Sequence, residues 1–130
     1  MNRLQALCAV LLAMCALSAT VCGAESSAAN AAIHSKAAAK AGKATYLRLC
    51  QYCHGFDGKA LENIDFQATN LTDLSVWKHG VEPENIFNSI KNGAGEDMLS
   101  FKSKLSDDEI WQLVAFILSI GPEERRPQND

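Results

Sequence analysis

Proline is scarce in this sequence of 130 residues: three are present, Pro83, Pro122 and Pro127, so most of the chain is free of the residue that breaks helices. Sustained alternation of apolar and polar residues is missing as well, and with it the main signature of a half-buried β-strand. No segment repeats another, which removes solenoids and other arrays. Positive charge is also short. Lys and Arg number 12 against 15 Asp and Glu, a formal charge of −3, and no basic stripe offers the electrostatic footprint of a nucleic-acid binder. Beyond Leu4–Val21 no apolar run approaches the length that a bilayer requires. Cysteine numbers five. Cys8, Cys15 and Cys22 fall near the N-terminus, which leaves Cys50 and Cys53 as the thiols of the chain's body.

The N-terminus has an order of its own. Met1-Asn2-Arg3 carries one positive charge, Leu4–Val21 is apolar apart from Gln5, Ser18 and Thr20, and Val21-Cys22-Gly23-Ala24 supplies small residues at the exit. This predicts a secretory signal over residues 1–24, with an uncleaved membrane anchor as the alternative. Ala19-Thr20-Val21 before Cys22 lacks the pattern of a lipid-attachment site. Cleavage would remove Arg3 and the first three cysteines, leaving a more acidic, soluble chain with no membrane span in an exported compartment, the periplasm. Residues 25–36 are small and polar and read as a flexible leader. Residues 37–121 read as one small domain and residues 122–130 as a polar tail.

Within that domain, Ala38, Ala41, Thr45 and Leu49 recur at helical spacing and predict a first helix from Lys36 into the cysteine pair. Gly55-Phe56-Asp57-Gly58 marks a turn, and the stretch 59–75 has no period and reads as loop. Pro83 suits a first helical position, Ile86, Phe87 and Ile90 form an apolar face, and Asn92-Gly93 is a stop; together they predict a short helix over 83–91. Ser106-Asp107-Asp108-Glu109 is a capping box and Gly121-Pro122 ends the segment. Between them Ile110, Leu113, Val114, Ile117 and Leu118 share one face, while Phe116 falls among polar positions and wants a neighbour of its own. The fold class is all-α, three helices with a long wrapped loop, and so small a core is commonly helped by a staple.

Cys50-Gln51-Tyr52-Cys53-His54-Gly55 is where chemistry concentrates. Structural zinc wants four ligands and usually a second pair, and His34 and His79 are isolated from one another. A thioredoxin-like dithiol expects a βαβ setting, which this chain lacks. Covalent haem attachment uses the whole pattern: Cys50 and Cys53 bond the two vinyl groups on one edge of the macrocycle, and His54 is carried under the ring to the iron. The second axial position requires a soft or nitrogenous donor. Met98 is the one methionine outside the N-terminal segment, and its loop, Gly93-Ala94-Gly95-Glu96-Asp97-Met98, gives it little to pack against. It is preferred to His79 as the ligand.

Over residues 38–120 the chain resembles the small bacterial class I cytochromes c. YLRLCQYCHGFDGK is similar to their haem-attachment segment, NLTDLSVWKHG to a stretch that follows it, NGAGEDMLSF to the loop bearing the axial methionine, and LSDDEIWQLVAFILSI to their closing helix. The resemblance implies a cytochrome c-like fold whose first and last helices cross, with Gly42, Tyr46 and Phe116 at the crossing, and loops wrapped around one haem c per chain. In such proteins a proline carbonyl often orients the axial histidine, and Thr69 stands at that place here. A proline usually follows the axial methionine, where this chain has Leu99. A tryptophan N–H reaches a haem propionate in relatives, and Trp77 matches it.

The function implied is that of a monomeric periplasmic one-electron carrier, not itself an enzyme, with iron held by His54 and Met98 and with a dehydrogenase, reductase or oxidase as redox partner. The alternatives are a fixed haem subunit of an oxidoreductase complex, or an open-site haem enzyme or sensor should Met98 not ligate. Lys59, Lys102 and Lys104 flank the segments expected around the haem edge and are candidates for steering an acidic partner.

Overall fold

The computed structural model describes residues 33–60 and 67–126; the expected signal over 1–24, most of the leader and the end of the tail lie outside the described residues. Four α-helices are formed there, α1 (Lys36–Leu49), α2 (Gln51–His54), α3 (Pro83–Asn92) and α4 (Asp107–Ile120), with 3-10 turns at Leu74–Val76 and Glu123–Arg125 and no strand. The all-α class expected from the sequence is what the chain adopts.

Helix α1 starts where its cap dictates. The Ser35 hydroxyl accepts from the amides of Ala37 and Ala38, at 3.2 and 3.4 Å, satisfying donors that the first turn leaves open. Packing begins slightly earlier than the polar composition of the leader suggests, since Ile33 is only 2 % exposed. At Cys50 (φ −115°, ψ −33°) the helix is interrupted rather than ended: the Cys50 amide still donates to the Tyr46 carbonyl at 2.8 Å, and α2 follows directly. Gly55, at φ 78° and ψ 161°, then stops it in a conformation open in practice to glycine.

Helix α4 carries the capping box in full. Ser106 Oγ accepts from the Glu109 amide at 3.3 Å, and the Glu109 carboxylate accepts from the Ser106 amide at 2.9 Å. All five residues of its apolar face are buried, and Ile110, Leu113 and Val114 with Tyr46 are the largest side chains wholly removed from solvent.

Among the described residues helices α1 and α4 make the most extensive contact, and Gly42 lies within it. A Cβ at that position would overlap the Gln112 carbonyl and stand 2.9 Å from the Leu113 amide nitrogen, so the two backbones touch. One turn along, Tyr46 meets Phe116 with ring centroids 4.9 Å apart and tilted by 54°. This gives Phe116 the neighbour its polar-side position asked for, and it is 6 % exposed. Helix α3 packs on α4 from another direction. Phe87 and Trp111 stack at 4.5 Å, and Lys91 Nζ reaches the Asp107 carboxylate at 2.8 Å.

Candidate functional site

Helical geometry gathers the first three candidates. Cys50 stands one turn before Cys53 and His54, at i+3 and i+4, so the thiols and the imidazole share one side of the α2 segment. Both cysteines are free and half-buried. Burial pushes the Cys50 thiol up to about 11, with the neighbouring Cys53 adding to the effect, so it is protonated at neutral pH.

His54 is oriented by the backbone. Its Nδ1 lies 3.0 Å from the Thr69 carbonyl oxygen, an atom that can only accept, so Nδ1 carries the proton and Nε2 is left with its lone pair. Burial is the main influence on this group and lowers its pKa, while the Thr69 contact opposes with a smaller raising effect. The imidazole is therefore neutral and ready to ligate. Thr69 supplies the carbonyl that a proline commonly supplies in the proteins this chain resembles, and the residue type is immaterial to that role.

His54 borders a cleft made of two adjoining cavities, of about 480 Å³ and about 90 Å³. The larger falls within the range of roughly 300–1,000 Å³ usual for cofactor sites. Cys50, Thr69, His79 and Met98 border both, Cys53 lies on the larger, and the smaller runs inward to Tyr46, Leu71, Ile86 and Leu113. Met98 and His54 thus wall the same space. Met98 is half-buried and packs against the core, while His79 is exposed on the rim.

Leu99 stands where a proline is usual in the proteins this chain resembles, and the methionine loop is tied at its neck: the Ala94 amide donates to the Met98 carbonyl at 2.9 Å, the Ser100 hydroxyl to the Lys91 carbonyl at 2.6 Å, and the Phe101 amide to the Ile90 carbonyl at 3.1 Å. Trp77, matched to a propionate donor with a core role as the alternative, donates its indole N–H to the carbonyl of Asn70 at 3.0 Å, which ties the loop after Thr69. Sequence reasoning also passed over the Tyr46 hydroxyl, which donates to the carbonyl of Gly55 at 2.7 Å. The spacing of Tyr46 signalled a helix contact and carried no hint of that bond.

The residues present fit a covalently held haem. Two free thiols border a cleft whose inner part is apolar, a neutral imidazole with a committed tautomer stands beside them, and Met98 borders the same space. A helical domain with this arrangement defines a c-type cytochrome.

Comparison with known proteins narrows the class. Residues 37–117 match the family described as cytochrome C oxidase, cbb3-type, subunit III, and the chain belongs to it. Among curated relatives it is similar to the cbb3-type cytochrome c oxidase subunit CcoP of Rubrivivax gelatinosus, 35 % identical over 88 residues, 68 % of this chain and 28 % of the relative. Subunits FixP of Azorhizobium caulinodans and of Rhizobium meliloti are 33 % and 31 % identical over 65 % and 64 % of this chain, again 28 % of each relative. The chain thus spans well under a third of the curated relatives it matches. No solved structure gives a significant match.

Proposed function

We propose that this chain is a one-electron haem c domain that works as a fixed component of a terminal oxidase complex, the setting named for its relatives. The observation that carries the electron-transfer reading is the cleft bordered by both His54 and Met98, beside a pair of free thiols. Cys50 and Cys53 would hold the macrocycle, and His54 Nε2 and Met98 Sδ would be the protein's donors to its iron. The haem would supply reversible one-electron chemistry, and a thioether donor would favour the reduced state and raise the potential. Thr69 keeps the imidazole in the tautomer that presents Nε2. The tied loop keeps Met98 at the cleft, and the inner cavity presents Leu71, Ile86 and Leu113 as an apolar lining. With His54 and Met98 both committed to the haem, the domain would pass electrons without breaking a substrate bond, and any catalysis would belong to the complex.

One CxxCH segment implies one haem per chain. Residues 37–121 are the cytochrome domain, and residues 1–24 direct the chain to the periplasmic side as a cleaved signal or retained anchor. Among the described residues no helix is long and apolar enough to cross a membrane. The free monomeric shuttle first expected from the sequence is the second reading, and the exposed lysines near the cleft favour it.

Mass spectrometry of the purified chain tests the haem. The wild type is expected to carry it covalently, Cys50→Ala or Cys53→Ala to retain at most one thioether bond, and the double variant none. Purification of the tagged chain from membranes tests the setting: an oxidase is expected to come with it in stable ratio, and recovery of the chain alone would favour the shuttle.

A further inference from the structure

Tyr46 has no exposed surface, and its hydroxyl makes a fully buried bond of 2.7 Å to the Gly55 carbonyl. A helix crossing does not require that oxygen. Phenylalanine would make the same ring contact with Phe116, and a buried hydroxyl is costly unless it is bonded. Its acceptor belongs to the residue immediately after His54. From Gly55 the chain closes a short circuit back to the imidazole. The Ala60 amide donates to the His54 carbonyl at 2.9 Å and the Leu71 amide to the Gly58 carbonyl at 2.7 Å; two residues before Leu71, the Thr69 carbonyl takes the Nδ1 proton of His54. Tyr46 also borders the inner cavity beside Cys50 and His54.

We propose that Tyr46 is a positioning residue for His54: its hydroxyl pins the Gly55 turn, and the pinned turn fixes how the imidazole is presented to the iron. This rests on His54 being an axial ligand, as argued above. The geometry supports an indirect action, because Tyr46 reaches the residue next to the ligand and not the ligand itself. Burial is the main cause holding the phenol above the usual tyrosine range, with smaller contributions from Cys50 and Asp57, so the hydroxyl remains a donor at neutral pH.

The test uses the full haem-loaded chain and two readouts, the hyperfine-shifted ring resonances of the axial histidine in the oxidised state and the reduction potential. Wild-type protein lacking covalent haem or axial-histidine resonances would overturn the haem reading, and the positioning role with it. Given a normal wild type, Tyr46→Phe keeps the ring and deletes the donor. The expected result is retained haem with His54 resonances and potential displaced well beyond those of Lys43→Gln, an exposed change on the same helix. Resonances and potential matching that control, even alongside a lower denaturation midpoint, would make Tyr46 a packing residue and overturn the proposal. Should Tyr46→Phe fail to retain haem, fluorotyrosine incorporated in a Tyr52→Phe background strengthens the donor at nearly constant shape, since Tyr46 and Tyr52 are the two tyrosines of the chain. Displaced His54 resonances would then support the proposal, and unmoved ones would overturn it.

Discussion

Gly93 bends at φ 89° and ψ 162° where α3 ends, and a Cβ there would stand 2.7 Å from the Met98 carbonyl oxygen. That carbonyl already accepts the Ala94 amide, so the neck of the methionine loop has no room for a side chain. Gly93→Ala therefore strains a conformation that costs other residues roughly 1–3 kcal/mol and also displaces the acceptor that ties the loop. The expected outcome is a weakened sulfur-to-iron charge-transfer band in the oxidised protein and a lowered unfolding midpoint; an unchanged band would mean that the neck does not govern Met98. Met98→Ala is the direct counterpart. It should abolish the band, lower the potential and open the iron to carbon monoxide, and a variant spectrum identical to wild type would transfer the ligand role to His79, which borders the same cleft. These two candidates were legible in the sequence because few donors remain to be counted: Met98 is the one methionine outside the N-terminal segment, and only His34 and His79 remain beside His54. The ties of the loop were not. They run between backbone atoms, and no side-chain pattern encodes which carbonyl an amide will find. The same limit applies to Trp77: no side-chain pattern shows that the loop brings the Asn70 carbonyl within 3.0 Å of its indole N–H.

At the scale of helices, periodicity and capping carried most of the fold. α3 and α4 begin at the expected proline and capping box, and the apolar face of α4 is the buried face, because cap and period are local and act on the same segment. The break at Cys50 was not legible, since nothing there departs from helical propensity. Gly42 is the most sensitive point of the crossing. Because a Cβ there overlaps main-chain atoms of Gln112, which cannot rotate away, Gly42→Val should destabilise the fold toward the upper end of about 1–3 kcal/mol. Denaturant midpoints check this, and an unshifted midpoint would mean that the helices separate there at little cost. The capping box gives a pH dependence. Hydrogen bonds from the Ser106 amide and hydroxyl are the chief causes holding the Glu109 carboxyl below its usual range. A depressed folded-state value makes the contribution complete above the ordinary glutamate range and lost as pH falls through the folded value. Glu109→Gln should accordingly flatten the acid limb of a stability–pH curve, and Ser106→Ala should cost about 1 kcal/mol near neutrality. An acid limb identical in wild type and Glu109→Gln would remove the carboxylate from the account.

Over the whole molecule the charge at the cleft is balanced while the chain is acidic. The chain is at −3, and the larger cavity is bordered by two lysines, Lys78 and Lys104, and by two carboxylates, Glu96 and Asp97 on the methionine loop. Of the three lysines that the sequence singled out, Lys59 is partly offset by Asp57 at 3.6 Å, an exposed pair of little energetic weight, whereas among the described residues no carboxylate is paired with Lys102 or Lys104. Steering by such charges acts on the encounter of separate molecules and is screened over about 10 Å at 0.1 M salt. A domain fixed in a complex has no encounter to steer. Electron transfer through this haem should then be first order, independent of protein concentration and indifferent to salt in the assembled complex. Lys102→Glu with Lys104→Glu should reduce incorporation of the chain without slowing transfer in the complexes that do form. Stopped-flow reduction at several salt concentrations separates the alternatives. A rate that rises with the concentration of added chain, falls with salt and drops in the charge-reversed variant would identify a diffusing carrier, and the lysines would then be its docking face rather than part of a subunit contact.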